Sequence, residues 1–283
     1  MTVKIVTDST ADLPKEMVNE LGISIIQNYV IFGDKISQES TEITSEEFYQ
    51  RLVQNPVHPT TAAASPYDFE RVYETLAEET NEIISIQASS KITSIYNNAL
   101  MAKRLVEDEK KCKIIVIDSL WTVMAMGLLV ISAARLAKEG KNLSEIQSSI
   151  EENIPRIHFL AVLDTLTYIS KGGRAGKAVI RIAQAASNVL DVKPMITFKN
   201  GEISFVDVVK TKKKQEKIIS FVKGFSNIKE IALEYSTNKE EVERIGEEIS
   251  SLLPEVPLYF SMTSPALGVH AGPGCLAVSL ITK

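Results

Sequence analysis

The fold can be predicted from one stretch near the start of the sequence, Val3-Lys4-Ile5-Val6-Thr7-Asp8-Ser9-Thr10-Ala11-Asp12-Leu13-Pro14. Its apolar part, residues 3–7, predicts a short strand. Asp12 before Leu13 and Pro14 is typical of a helix start, with the aspartate as N-cap and the proline in the first turn. A strand followed at once by a helix is the unit from which parallel sheets are built.

The same alternation continues through the first half of the chain. Apolar runs at 83–87 and 114–117 predict two more strands, and a helical spacing of apolar residues begins at Ile92. The stretch 121–138 predicts a largely buried helix. We therefore expect an N-terminal parallel-sheet α/β/α domain over residues 1–155, with Pro155 at its boundary.

Helix boundaries in this half are predicted from capping residues. Gly22 is expected to end the first helix, and Thr44 with Glu47 forms a capping-box pattern. Ser65 is expected to cap the helix after the proline-flanked stretch 58–66, which predicts a loop. Ser144 is expected to cap a later helix.

The second half has a different pattern, which predicts an α+β domain over residues 156–283. Asn200-Gly201 between two apolar runs is a hairpin signal. An apolar helix is expected over 178–190, and helices are expected near 212–223 and 239–252. Further strands are predicted near 159–163, 193–198, 202–208, 229–235, 256–260 and 275–281.

Composition excludes several classes of protein. The 283 residues are 45% hydrophobic and 24% charged, which is typical of soluble globular proteins. The formal net charge of −5 argues against nucleic-acid binding, and two cysteines cannot make a zinc site alone. The longest apolar stretch, 121–134, has about 14 residues, whereas a membrane span needs ~20. We expect a cytoplasmic protein without a metal or a cofactor.

Three predicted strands end in an acid followed by a hydroxyl residue. These pairs are Asp8-Ser9, Asp118-Ser119 and Asp164-Thr165. Ligands of open parallel sheets bind beyond the carboxyl ends of the strands, so the pairs are placed for ligand binding. Helix capping favours the same residue types, and both interpretations stay open.

Two hydroxyl-rich segments are candidates for binding an anion. They are Thr60-Thr61 and the segment that contains Ser89-Ser90 and Thr93-Ser94. The second follows a strand and precedes a helix, where hydroxyl and backbone N–H groups suit a carboxylate or phosphate. Ordinary loop and capping chemistry is the alternative.

Two glycine-rich segments carry the remaining candidates. In Lys171-Gly172-Gly173-Arg174, the arginine precedes an apolar helix, so its guanidinium and the helix N-terminus could meet one anion. A helix connector with solvated basic ends is the alternative. His270 lies between Gly268 and Gly272-Pro273-Gly274, where an imidazole could bind a carboxylate or act as an acid or base.

The assembled motifs resemble the DegV family, fatty-acid-binding proteins that serve as the acyl-carrying subunit of bacterial fatty acid kinase. The resemblance covers essentially the whole chain. It rests on five pieces in order: Asp8 to Pro14, Pro59-Thr60-Thr61 with Ser65-Pro66, Ser89-Ser90 with Tyr96, Lys171 to Arg174, and Val269 to Gly274.

The resemblance implies two α/β domains that enclose one long-chain fatty acid between them. Its carboxylate would be held by Thr61 and Thr93, with Arg174 and His270 lining the same head-group region. The family member performs no known chemistry and presents the acid to a separate ATP-dependent kinase, which makes an acyl phosphate for phospholipid synthesis. A transient contact with a membrane surface would fit this role.

The sequence departs from the family pattern in two places. Ala62-Ala63-Ala64 stands where the pattern has Ser-Gln-Pro, and Ser94 stands where it has glycine. Ser94 is therefore predicted to narrow the site and is included among the candidate ligand-binding residues.

Two other functions are alternatives to lipid binding. An enzyme acting on an acyl or phosphorylated small molecule could use His270 as its acid–base, but the sequence has no Gly-x-Ser-x-Gly elbow and no assignable Ser-His-Asp triad. A DNA-binding regulator would need a basic face and a helix-turn-helix signal. Neither is apparent in the sequence.

Overall fold

Three β-sheets organise the part of the chain that the computed structural model describes, residues 2–172 and 191–283. The strands are β1 Lys4–Asp8, β2 Ser24–Ile26, β3 Tyr29–Phe32, β4 Lys35–Gln38, β5 Thr60–Ala62, β6 Glu82–Gln87, β7 Lys113–Asp118, β8 Ile157–Val162, β9 Val192–Lys199, β10 Glu202–Lys210, β11 Ile228–Tyr235, β12 Leu258–Met262 and β13 Leu276–Thr282.

Helices connect these strands and cover the sheets. In the described ranges they are α1 Lys15–Leu21, α2 Ser45–Gln54, α3 Pro66–Ala77, α4 Ile95–Lys110, α5 Val123–Lys138, α6 Leu143–Asn153, α7 Thr167–Lys171, α8 Lys214–Lys223, α9 Lys239–Leu252 and α10 Pro265–Ala271. The predicted helix over 178–190 lies outside the described residues. Within the described ranges, no helix is both long and apolar enough to cross a membrane.

The first sheet is parallel and has the strand order β2-β1-β6-β7. Residues on both faces of β1 and β6 are buried, which is the pattern of a sheet covered by helices on both sides. Helices α3 and α4 pack together against it, and α5 and α6 form a second pair. The predicted parallel-sheet α/β architecture is confirmed.

The second sheet has six strands in the order β10-β9-β8-β13-β11-β12. Its pairings are antiparallel except for β11 with β12. Helices α8 and α9 cover one face and form a separate apolar core with it. The prediction of a sheet-rich second half is confirmed. Its chain range of 156–283 stays a prediction, as does the range 1–155. Pro155 lies in the 3₁₀ turn Ile154–Arg156.

Helix α5 joins the two sheets because it packs against strands of both. Its sequence, VMAMGLLVISAARLAK, is apolar on nearly every side. A helix that is apolar all round must be buried on every side, and two flanking sheets satisfy that requirement. The predicted buried helix is therefore confirmed, with its first residue at Val123 rather than Trp121.

A third sheet, with the order β4-β3-β5, was not predicted. Its antiparallel pairing places Val30 opposite Thr61, inside the stretch 58–66 that was expected to be a loop. The loop prediction is wrong because β5 has only three residues, too few for an alternating pattern, and depends on a partner about 30 positions away in the chain.

Two capping predictions are also wrong. Asp12 lies three residues before α1, in a left-handed conformation with φ of 50°, and its carboxylate accepts a hydrogen bond from Ser264 of the second half. The carboxylate of Asp12 therefore makes a tertiary contact with the second half instead of capping α1. Helix α6 is capped by Asn142 with Glu145 in a capping box, two residues before the predicted Ser144.

Other local signals are confirmed. Thr44 and Ser65 both form complete capping boxes, and Gly22 ends α1 with φ of 65°. Asn200 and Gly201 both have positive φ, 52° and 83°, as a tight hairpin between twisted strands requires.

Candidate functional site

An apolar cavity lies between the parallel sheet and the six-stranded sheet. Its empty volume is about 950 Å³ when the space at its open mouth is included. Cavities that bind small molecules are lined mainly by apolar groups, with a few polar groups that orient the ligand.

The parallel sheet lines the cavity with the carboxyl ends of all four of its strands. Asp8 ends β1, Asn28 follows β2, Ala88 follows β6, and Thr122 lies beyond β7. This is the edge at which open parallel sheets bind their ligands. Of the three acids predicted at strand ends, Asp8 lines the cavity that the described residues form, whereas Asp118 and Asp164 do not.

The six-stranded sheet forms the opposite wall. Alternate residues of a strand point to the same face, and the lining residues Phe159, Ala161 and Leu163 follow this spacing. Neighbouring strands contribute in the same way, with Ile196, Phe198, Ile203, Glu234, Cys275 and Ala277. The small side chains of Ala161 and Ala277 are direct cross-strand partners on this wall.

The third side of the cavity is formed by β5 and α10. Thr61 of β5 and His270 of α10 both line it, and Thr61 Oγ1 lies 3.5 Å from His270 Nε2. His270 was expected in a loop, but it lies in the last turn of a short helix that begins with Ser264-Pro265. The glycine that follows Ala271 ends this helix rather than belonging to a loop around His270. A helix of seven residues is too short to show a clear helical period in the sequence.

The other predicted site residues are placed differently. Thr93 lines the cavity in the turn before α4, whereas Ser94 is exposed and lies outside the lining that the described residues form. Arg174 lies outside the described residues. Lys171 ends α7 and Gly172 follows it, so the predicted loop begins at a helix end.

Buried polar groups hold the lining at the strand ends. Asp8 accepts hydrogen bonds from Thr10 N, at 2.9 Å, and Ala88 N, at 3.0 Å, and so acts as a cap as well as lining the cavity. Asn28 donates from Nδ2 to Ser9 Oγ at 2.9 Å and accepts from Ala64 N at 3.1 Å. Burial raises the pKa of Asp8 above its usual value.

The other two acid–hydroxyl pairs have structural roles. Asp118 accepts hydrogen bonds from Ser90 N at 3.2 Å and Leu120 N at 3.1 Å, which braces two loops. Asp164 forms an ion pair with Lys193 at 2.9 Å on the second sheet. Helix capping was the alternative left open for these pairs, but Asp118 instead braces loops and Asp164 forms an ion pair.

Buried carboxyl groups connect the two halves of the chain. Glu234 accepts a hydrogen bond from Met124 N at 2.8 Å, and Asp12 accepts one from Ser264 N at 3.1 Å. Burial raises the pKa of Glu234 to about 8. Burial and the nearby Glu234 together hold the pKa of Asp12 well above its usual value.

Glu39 makes a third connection. It lies immediately after β4 and is fully buried, and it accepts hydrogen bonds from the Ser9 hydroxyl and from the backbone N–H of Ala266 in α10. Burial raises its pKa to about 7.

The β9–β10 hairpin closes one end of the interface. Ser89 Oγ donates to the carbonyl oxygen of Gly201 at 2.8 Å. A Cβ at Gly201 would lie 2.5 Å from that hydroxyl oxygen, so only glycine permits this approach. Ser89, predicted as a possible ligand residue, therefore fixes the hairpin.

Sequence reasoning missed several residues of the site. Asn28, Glu39 and Glu234 have no motif around them, and their roles depend on partners far away in the chain. A signal was present for Glu234, because it directly follows the apolar run Ile231-Ala232-Leu233 of its strand, and an acid buried there requires a partner.

Comparison with known proteins identifies the family. Residues 2–283 match the family model described as "Uncharacterised protein, DegV family". A DegV domain-containing protein of Caldanaerobacter subterraneus subsp. tengcongensis is 33% identical over 281 residues, which cover 98% of this chain and 97% of that protein. The protein DegV of Bacillus subtilis is 29% identical over 283 residues, 98% of each chain.

Solved structures show the same architecture. A stearic-acid-binding protein of Eubacterium ventriosum has a TM-score of 0.89 at 26% identity, with 99% of this chain and 98% of that one covered. A fatty-acid-binding DegV family protein of Thermus thermophilus has a TM-score of 0.87 at 27% identity, and the fatty-acid-binding DegV of Bacillus subtilis has 0.86 at 29%. Both of these comparisons cover 100% of each chain. The chain belongs to the DegV family.

Proposed function

We propose that this protein binds one long-chain fatty acid in the cavity between its two larger sheets. The observation that carries the proposal is the cavity itself, which is apolar along its walls and has Thr61 and His270 together on one side. The solved relatives from Thermus thermophilus, Bacillus subtilis and Eubacterium ventriosum are fatty-acid-binding proteins of the same fold.

The ligand carboxylate is assigned to Thr61, Thr93, Arg174 and His270. Hydroxyl, imidazole and guanidinium groups can all donate hydrogen bonds to a carboxylate. Three of these residues line the cavity, and the part of Arg174 is proposed from its sequence motif. Ser94, predicted to narrow the site, is the exposed N-cap residue of α4, makes no side-chain capping bond there and lies outside the described cavity lining.

Apolar burial is sufficient to hold such a ligand. A saturated chain of about 15 methylenes at ~0.8 kcal/mol each contributes ~12 kcal/mol before the entropy cost of binding. The side chains of Phe159, Leu163, Ile196 and Phe198 supply the apolar wall for this chain.

The first experiment is lipid extraction from the denatured, purified protein, followed by mass spectrometry. One fatty acid per chain is the expected result, and delipidated protein should take up added fatty acid with the same stoichiometry. Absence of any bound acid together with no uptake would overturn the proposal.

We further propose that the chain carries the acid for a separate ATP-dependent kinase and does not itself transfer phosphate. Because that kinase needs ATP and its acyl substrates enter from lipid, the carrier would work in the cytoplasm with transient contact to a membrane surface. The kinase subunit, ATP and this protein together should form an acyl phosphate, which hydroxylamine traps as a hydroxamate. Omission of this protein should abolish the product.

A separate assay with this protein alone tests the enzymatic alternative. Turnover of acyl esters or acyl phosphates by this protein alone, lost in His270→Ala, would contradict the carrier role and support an enzyme with His270 as acid–base.

A further inference from the structure

Glu39 connects three parts of the molecule at a point outside the cavity. One carboxylate oxygen accepts the backbone N–H of Ala266, and the other accepts the hydroxyl of Ser9. Its own N–H donates to the carbonyl oxygen of Asn28 at 3.0 Å. The side chain is fully buried, so these bonds are protected from competition with water.

One of these connections leads to His270. Ala266 is the second residue of α10, and His270 lies four residues later in the same helix. Residues spaced by four positions share a helix face, and both residues line the cavity. A bond that fixes the N–H of Ala266 therefore fixes the position of the imidazole, about 6 Å further along the helix axis.

The other connection leads to Thr61. Ser9 Oγ accepts hydrogen bonds from Asn28 N at 3.0 Å and Asn28 Nδ2 at 2.9 Å, and the amide oxygen of Asn28 accepts Ala64 N at 3.1 Å. Ala64 follows β5, which contains Thr61. Through Ser9 and Asn28, the carboxylate of Glu39 thus holds the strand on the opposite side of the 3.5 Å contact between Thr61 and His270.

The direction of each bond explains why an acidic residue occupies this position. Above its pKa of about 7, Glu39 is an ionised carboxylate, which only accepts hydrogen bonds, and both of its partners here donate. Glutamine has the same size, but its amide nitrogen would face either the N–H of Ala266 or the hydroxyl of Ser9. Ser9 Oγ already accepts two N–H groups from Asn28, so a third donor displaces one of them.

We infer that Glu39 is a positioning residue for the head-group side of the cavity, where it sets the separation of Thr61 and His270 and thereby the preference for a carboxylate over a neutral head group. This inference rests on the proposed binding of a fatty acid. Neither Glu39 nor Ser9 lines the cavity that the described residues form, so the effect acts through the two elements they hold.

The test compares two ligands that differ only in the head group, palmitate and hexadecanol. Dissociation constants are measured at pH 8, above the pKa of about 7 of Glu39, on delipidated protein for the wild type, Glu39→Gln and Ser9→Ala. The wild type should bind palmitate at least about tenfold more tightly, since hydrogen bonds to charged groups are the stronger ones. In both variants this ratio should fall at least about fivefold, with hexadecanol binding nearly unchanged.

Glu230→Gln is the matched control. Glu230 is also a buried acid across the same interface, but its partners are Arg135 and Tyr259 rather than α10 or β5. The Glu230→Gln substitution should lower the free energy of unfolding and leave the ratio of the two dissociation constants unchanged. Equal losses for both ligands in Glu39→Gln would show a merely structural role and overturn the inference. A wild type that binds neither ligand would instead overturn the proposed function. If Glu39→Gln fails to fold, the ratio in Ser9→Ala decides.

Discussion

Thr61 Oγ1 lies 3.5 Å from His270 Nε2, although 209 positions separate the two residues in the chain. The first belongs to a strand of the small sheet and the second to a helix of the second half. Their proximity makes the polar side of the cavity a property of the whole fold, and it can be tested from either residue.

Replacement of Thr61 by valine should weaken fatty-acid binding about tenfold, because the change removes one hydrogen bond to a charged group and leaves the volume nearly the same. Thr60→Val is the control, since Thr60 is the exposed neighbour on the same strand. Titration of delipidated protein measures the effect. Equal affinity in both variants would remove Thr61 from the proposed head-group site.

Gly172→Ala tests His270 without changing it. A Cβ at Gly172 would lie 2.1 Å from His270 Nδ1, so the imidazole has to move away from its position beside Thr61. Gly172 has φ of −72°, which alanine adopts easily, and backbone strain therefore does not contribute. We expect a loss of affinity similar to that of His270→Ala.

Gly224→Ala is the control for that variant. Gly224 has nearly the same φ of −73° at the end of α8, and its added Cβ would meet only the carbonyl oxygens of Phe221 and Ser220, at 3.2 and 3.7 Å. Affinity should be unchanged there. Unchanged affinity in Gly172→Ala as well would mean that the imidazole position has no influence on binding.

Ala161→Leu should shift the preference toward shorter acyl chains. Ala161 and its cross-strand partner Ala277 have small side chains and leave a recess in the cavity wall. A larger side chain there removes space that the hydrocarbon chain would occupy. A mixture of fatty acids offered to the protein, extracted and quantified by mass spectrometry, gives the preference directly.

The control for the wall is Ala232→Leu. Ala232 is buried in the same sheet but lies outside the described cavity lining. Overpacking at either alanine costs about 1–3 kcal/mol of stability. Only Ala161→Leu should change the chain-length distribution, and a matching change in both variants would contradict the assignment of the wall.

Stability should decrease as the pH rises from about 5 to about 8. Burial raises the pKa of Glu39 to about 7 and that of Glu234 to about 8, above their ordinary value of 4.5. The folded protein keeps these protons where the unfolded chain has lost them. The contribution to the free energy of unfolding is therefore present below the unfolded pKa and is lost as the pH passes the folded pKa.

Denaturant titrations across this pH range measure the slope of the free energy of unfolding against pH. In Glu234→Gln the slope should become less steep, since a neutral amide replaces a group that titrates. A slope identical to that of the wild type would show that Glu234 is not protonated in the folded protein.

The strands of the two larger sheets could be predicted from the sequence. The small sheet, whose strand β5 lines the cavity, could not. Strands such as β6 and β7 are apolar runs followed by helices, so local physics determines them. Strand β5 has three small residues, and its pairing with β3 depends on tertiary contacts that no local pattern reports.

The candidate site divides in the same way. Thr61, Thr93 and His270 stand in recognisable motifs, and each lines the cavity. Asn28 and Glu39 stand in no motif, because their hydrogen bonds connect positions as far apart as Glu39 and Ala266. Asp12 shows the opposite error. The sequence predicts a local helix cap there, but the carboxylate accepts a hydrogen bond from the distant Ser264.

The order of strands in the second sheet has a consequence for biosynthesis. Strand β13 is made after all the other described strands, yet it lies between β8 and β11 near the middle of the sheet. Until it leaves the ribosome, β10-β9-β8 and β11-β12 are two separate fragments, and the wall that contains Ala161 and Ala277 is incomplete. A nascent chain therefore has no finished cavity, and a lipid can stabilise this protein only after synthesis of the final strand.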